Sequence, residues 1–164
     1  MNVLSIDPGN IESAYCIIEV ETLKILDYGK ITNEDLHRKI TLNNFDAHYN
    51  NVAIEMIKSY GMSVGYQIFD TCIWIGIFKE LIENKWDYQK QVDYINRMEE
   101  KMHICHDSRA KDTNIRRALI DRFAQHDKKQ GKGTRKNPDW FFGFRADMWA
   151  AYAVGITYIE TKLI

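Results

Sequence analysis

Proline is nearly absent, with only Pro8 and Pro138 in 164 residues, and no low-complexity tract or internal repeat is visible. Proline-rich linkers, collagen-like repeats and solenoids are therefore excluded. Cysteine is scarce and odd in number: Cys16, Cys72 and Cys105 lack paired spacing, which fits reduced thiols in a cytoplasm better than a disulfide framework. No stretch approaches the ~20 apolar residues of a membrane span, and Asp7 interrupts the first apolar run where a signal peptide would continue. A soluble cytoplasmic protein with no membrane partner is expected. What is present is a core: 45% of residues are apolar and 12% aromatic, which excludes disordered and fibrous classes. The length suits one compact domain over 1–164.

Net charge is also small, at -1, but it is unevenly distributed. Residues 109–136 carry ten basic side chains, Arg109, Lys111, Arg116, Lys128, Lys129 and Lys132 among them, against three Asp. Residues 1–108 carry ten basic and seventeen acidic side chains. A basic block in an otherwise acidic chain points to a polyanionic partner; a solvated helix face followed by a loop gives the same composition.

Taken in order, Val3, Leu4 and Ile6 form a short buried strand that stops at the turn tripeptide Asp7-Pro8-Gly9. Ala14 to Val20 and Leu23 to Ile31 predict a hairpin pairing back on it. Asn33 is a candidate helix cap leading into Leu36 to Phe45. Asn51 to Ile57 predicts a second buried strand with Glu55 inside it, an acid that is expensive to bury unless paired or bound to a cation. Tyr66 to Glu83 is the strongest helix, apolar on more than one face, as a helix packed on both a sheet and a second subunit would be. Val92 to Asn96 and Lys101 to Cys105 are strand-like, with Arg97 to Glu100 a turn or short helix between them. A basic helix follows from Lys111 or Asp112 to His126, then an exposed, mobile basic loop over 127–143. A last helix runs from Phe144 to Leu163 with Asp147 in its first turns. Trp74 and Trp149 fall in apolar helices, whereas Trp140 lies in the loop, which is expected to fold back over the sheet.

Two strand-borne acids, Asp7 and Glu55, and one helix-borne acid, Asp147, can meet at one end of such a sheet. Hard oxygen ligands gathered this way suit Mg²⁺ or Mn²⁺. A two-metal site, its ions roughly 3.5 to 4 Å apart, would take Asp7 as the bridging ligand. The alternative for Asp7 alone is an ordinary turn residue.

Here the motifs resemble a known family. Ser5-Ile6-Asp7-Pro8-Gly9, Ile54-Glu55 and Ala146-Asp147-Met148-Trp149-Ala150 are similar to the first, second and last motifs of the RuvC branch of the ribonuclease H-like superfamily, the Holliday-junction resolvases, most closely the short divergent versions of phages and prophages. The resemblance implies an α/β fold with a mixed five-stranded sheet, an antiparallel hairpin start followed by parallel strands, and helices on both faces. It implies a homodimeric, Mg²⁺-dependent endonuclease cutting four-way or other branched DNA, without a small-molecule cofactor. Lys101 and Lys111 resemble the family's two basic active-site positions, which would hold the scissile phosphate or offset charge developing in the transition state. Lys58, Tyr60 and Met62 follow Glu55 where such proteins place side chains that enter the junction centre, and an aromatic there can stack on an unpaired base.

One departure is plain: the family carries a second metal-binding residue three positions from its last acid, where this chain has Phe144 and Ala150. Asp107 and Asp112, flanking the lysine motif, are candidates for the missing ligand, as is the reading that three carboxylates suffice. Ala150 could also be an engineered loss of an acid. Other substrates, including an RNA–DNA hybrid, and a non-catalytic junction-binding protein are the competing functions. His103-Ile104-Cys105-His106 lacks the second ligand pair of a zinc site and is set aside. His126 and Asp127 are expected to end a helix.

Overall fold

The apolar run at the start of the chain becomes the central strand of a five-stranded mixed sheet in the computed structural model, which describes residues 1–61, 63–85 and 91–164. Strand β1 (Asn2–Asp7) pairs antiparallel with β2 (Glu12–Glu19), which pairs antiparallel with β3 (Ile25–Thr32). On its other side β1 runs parallel to β4 (Asn51–Met56), and β4 parallel to β5 (Val92–Asn96), giving the order β3-β2-β1-β4-β5. The hairpin start and parallel continuation are as the sequence predicts.

The period-two alternation of the strands sorts the core into two layers. Leu4, Ile6, Tyr15, Ile17, Val52 and Ile54 face helices α1 (Asn33–Leu42) and α2 (Tyr66–Lys85). Val3, Ala14, Cys16, Ala53 and Ile95 face α4 (Asp112–Phe123) and α5 (Met148–Tyr158). Helix α5 is buried almost all round and lies close on β1 and β2 at Gly155, where a Cβ would stand 2.3 Å from Ile18 Cδ1 and 2.8 Å from Ser5 Oγ. A larger residue there would lift the helix off the sheet. Among the described residues no helix is long and apolar enough to cross a membrane.

Three local expectations are corrected. Lys101–Cys105 is not a strand but a π-helical turn continuing α3 (Arg97–Glu100), which begins directly at the end of β5. The reason is the Asn96-Arg97-Met98-Glu99 capping box: Asn96 Oδ1 accepts from the amides of Met98 and Glu99 (3.1 and 3.2 Å), and Glu99 Oε2 accepts from the Asn96 amide (2.7 Å). A helix started this firmly runs on until His106, in the left-handed region at φ 55°, closes it. Second, α1 is capped by Thr32, whose Oγ1 accepts from the Asp35 amide (3.2 Å), rather than by Asn33. Third, the last helix starts at Met148, so Asp147 stands at its cap, and it ends in a π-helical turn, Ile159–Leu163.

The 127–143 segment holds no helix, and its backbone is tied by turns and an isolated Gly133–Pro138 bridge. It does fold back: Trp140 stacks on Phe123 (centroids 5.0 Å apart) and donates to Tyr152 Oη (3.1 Å), while Tyr28 of β3 donates to the Phe142 carbonyl (2.6 Å).

Candidate active site

Asp7 is the last residue of β1, and Glu55 the next-to-last of β4. The parallel register pairs Ile6 with Ile54, which puts Asp7 and Glu55 side by side at the carboxyl ends of two central strands. Alternation turns both toward the α5 layer, because Ser5 and Ala53, two residues earlier, pack there. The turn after Asp7 is held from beneath by buried Asn33, which donates from Nδ2 to the Gly9 carbonyl (2.9 Å) and accepts from Ser13 Oγ (2.6 Å). With its amide engaged on Ser13 and Gly9, Asn33 is not the helix cap.

Asp147 arrives from the opposite direction at the head of α5. Its carboxylate makes no capping bond and instead pairs with Lys30 Nζ on β3 (2.7 Å), which also lies 3.6 Å from Glu12. A fourth acid, unforeseen from sequence, joins them: Glu100, the last residue of α3, is fully buried and paired with Arg97 Nη1 (2.5 Å). Arg97 also pairs with Asp112. A small cavity of about 60 Å³ opens between Arg97, Asp112, Asp147 and Ala150.

The electrostatics tie these groups together. The Asp7 carboxyl is held well above the ordinary carboxylate range, first by burial, then by Glu55, through both its charge and a shared hydrogen bond, and then by the charges of Asp147 and Glu100. Glu100 is likewise held up, by burial first and by Glu55 second, with Arg97 opposing. Among the described residues no three His, Cys, Asp or Glu side chains already stand around one ion position. Asp147 is paired with Lys30 and Glu100 with Arg97. The donor set is nonetheless all carboxylate oxygen, the chemistry of a hard divalent cation.

The expected basic residues are distributed around this end. Lys101 follows Glu100 directly, half-buried, and Lys111 precedes α4 directly, exposed. Arg116 stacks on Trp149 (4.8 Å to the ring centroid), and Arg109 is exposed near Asp107 (3.8 Å). Lys58, Tyr60, Lys128, Lys129 and Lys132 are exposed on segments without regular structure, and Met62 lies outside the described residues. Of the candidates for a missing ligand, Asp112 is the partner of Arg97, whereas Asp107 accepts from the Arg109 amide (2.8 Å) in a turn. His103 pairs with Glu160 (2.7 Å) and His126 with Asp139 (2.8 Å).

Lys30, Arg97 and Glu100 are the residues that sequence reading missed. Helical phase from an Asn96 cap would have separated inward Glu100 from outward Glu99, and Lys30 is a lone cation on a strand that otherwise packs.

No family model and no curated protein matches the chain. Among solved structures, the Thermus thermophilus RuvC structure matches at 15% identity with a TM-score of 0.63, covering 96% of this chain and 93% of that one. T. thermophilus RuvC in complex with Holliday junction substrate matches at 13% identity with a TM-score of 0.65, covering 96% and 92%. Over nearly its whole length the chain therefore has the RuvC-like, ribonuclease H-like α/β fold.

Proposed function

We propose that this chain is a divalent-metal-dependent endonuclease acting on four-way junctions or related branched DNA. What supports the reading is the placement of acids from separate elements, Asp7 ending β1, Glu55 beside it near the end of β4, and Asp147 heading α5 with its charge acting on Asp7, on a fold similar to that of RuvC in complex with Holliday junction substrate. Asp7, Glu55 and Asp147 hold two Mg²⁺ ions, for which Mn²⁺ substitutes. When bound, the metal supplies an ionised water and charge stabilisation at the leaving oxygen. Lys101 and Lys111 engage the scissile phosphate. Arg109, Arg116, Lys128, Lys129 and Lys132 neutralise backbone phosphates along the duplex arms, a sequence-independent and salt-sensitive contribution. Lys58 and Tyr60 reach the junction centre, where the ring stacks on an unpaired base.

A four-way junction has two-fold symmetry, so cutting two strands calls for two copies related by the same axis. Helix α2 supports this: Tyr66, Phe69 and Ile73 are 74%, 61% and 60% exposed, and a Cβ at Gly76 would meet nothing within 4 Å. The spacing of these positions, three and four residues apart, forms one apolar stripe to which a second copy can pack.

The test is cleavage of a synthetic four-way junction in Mg²⁺ by the parent and by Asp7→Asn, with flap, duplex and RNA–DNA hybrid compared at one salt concentration. Asp7→Asn should abolish cleavage while junction binding in Ca²⁺ stays largely intact. Equal cleavage by both proteins refutes the reading. Ala150 favours a second one, a junction-binding protein without activity, which a parent that binds but does not cut in Mn²⁺ would select.

A further inference from the structure

We infer that Glu100 is the fourth carboxylate of the metal centre, supplying from α3 the ligand that α5 lacks at position 150. The inference rests on the reading above, that a divalent cation binds among Asp7, Glu55 and Asp147.

Glu100 is fully buried, and only one of its two oxygens is satisfied. Arg97 Nη1 holds Oε2 at 2.5 Å, whereas Oε1 has no hydrogen-bond partner. The other buried, unpartnered side-chain atoms among the described residues belong to Thr41, Trp149 and Thr157, so Glu100 is the one ionisable group so left. A buried carboxylate oxygen without a donor is costly and calls for a missing partner. The ordinary role, half of a buried ion pair, leaves that oxygen unexplained.

The surroundings say what the partner is. Glu100 acts on Asp7 through its charge, as do Glu55 and Asp147, so its carboxylate lies within electrostatic reach of the same acids. A hydrogen-bond donor from the protein could satisfy Oε1 but would leave the repulsion of Glu55 with Asp7 and with Glu100, whereas a divalent cation answers both. The cavity of about 60 Å³ lies between the arginine of the Glu100 ion pair and the head of α5. Its walls include Asp147 and Ala150 on one side and Arg97, the partner of Glu100, on another. Ala150, with only a methyl side chain, lines that space, and Arg97 of the Arg97–Glu100 pair lines it too. The capping box fixes the phase of α3, so Glu100 points inward while Glu99 points out.

The test is binding of Mn²⁺, followed by the EPR signal of the free ion, to the parent, D7N, E100Q and E99Q, each first checked for folding by near-UV circular dichroism in EDTA. E99Q removes the same charge one residue away and keeps an acceptor for the Asn96 amide. The expected result is binding by the parent, loss in D7N, a weakening of about tenfold or more or the loss of one ion in E100Q, as for removal of a group that supports a metal site, and near-parent binding by E99Q. Parent-like binding by E100Q together with loss in D7N overturns the role of Glu100 and leaves the proposed metal centre standing. No Mn²⁺ binding by the parent, or undiminished binding by D7N, overturns both. Equal weakening by E99Q and E100Q also overturns the inference, because a ligand differs from a nearby charge. If E100Q does not fold, the side-chain ¹³Cδ resonance of Glu100 in the unmodified protein decides. A ligand shifts it in a Mg²⁺ titration at the midpoint of the Asp7 ¹³Cγ resonance, and a resonance that stays still overturns the role.

Discussion

Asp7→Asn should make the metal-free protein more stable, and only above the acid range. Asp7 is half-buried beside Glu55 and within electrostatic reach of Asp147 and Glu100, and its folded-state pKa is raised above the ordinary 3.8. The folded protein therefore retains a proton that the unfolded chain releases as pH climbs past that value. Stability from this group is full below it and declines as pH rises toward the folded pKa, beyond which the loss is constant. Asparagine keeps the shape and a donor toward Glu55 but carries no charge, so the variant lacks this decline. Relieving a destabilised functional site commonly returns about 0.5–2 kcal/mol. For a chain of this length each kcal/mol moves Tm by about 2–4 °C, so the gain should be about 1–8 °C at neutral to mildly alkaline pH. Calorimetry of both proteins in EDTA, from the acid range to mild alkali, measures it. The gain should vanish below the ordinary carboxylate pKa, and Mg²⁺ should raise the Tm of the parent but not of the variant. A variant less stable than the parent at neutral pH, or a gain independent of pH, would refute the electrostatic account.

Two further outcomes follow from particular contacts. Asn33→Ala leaves the Gly9 carbonyl without its donor and the Ser13 O–H without its acceptor, although Ser13 Oγ still accepts from the Gly9 amide; at about 1–3 kcal/mol for each group left unpaired, urea denaturation should show a loss of about 2–6 kcal/mol, with cleavage reduced because the turn after Asp7 loosens. A loss well under 1 kcal/mol would mean that water replaces the amide. Ile73→Glu places a charge in the middle of the exposed α2 stripe, so sedimentation should show a dimeric parent and a monomeric variant, and the variant should nick junctions rather than cut strands in pairs. A parent that sediments as a monomer removes the basis for that interface.

The strand-borne part of the site was legible in the sequence because a buried strand writes its pattern plainly. Val3-Leu4-Ser5-Ile6 and Val52-Ala53-Ile54 alternate between two apolar layers, so the faces toward which Asp7 and Glu55 turn follow from counting by two. Glu100 was not legible. It sits beside a second glutamate and before a lysine, a composition typical of a solvated turn, and only the capping geometry of Asn96 separates the inward acid from the outward one. The same box explains the misreading of Lys101 to Cys105: Met102 and Ile104 alternate like strand residues, but a helix already nucleated upstream carries through them. Lys30 escaped for a different reason, since its partner Asp147 lies 117 positions away in sequence and no local pattern links them.

The two ion pairs that quiet the acids differ in how readily they give way. Lys30 and Asp147 are 26% and 54% exposed, and a pair so open to water contributes about 0–1 kcal/mol. A divalent cation can displace that lysine at little cost. Arg97 and Glu100 are 25% and 0% exposed, and stripping one partner from a buried pair costs about 3–5 kcal/mol. In the proposed centre an incoming cation would gain nothing by evicting Arg97, because the Glu100 oxygen that lacks a partner would accept it with the arginine in place. Asp7, Glu55 and Glu100 are set by strand ends and a capped helix, whereas the Asp147 carboxylate at the head of α5 is paired with Lys30, so in the proposed centre Asp147 is the acid that would have to change partner.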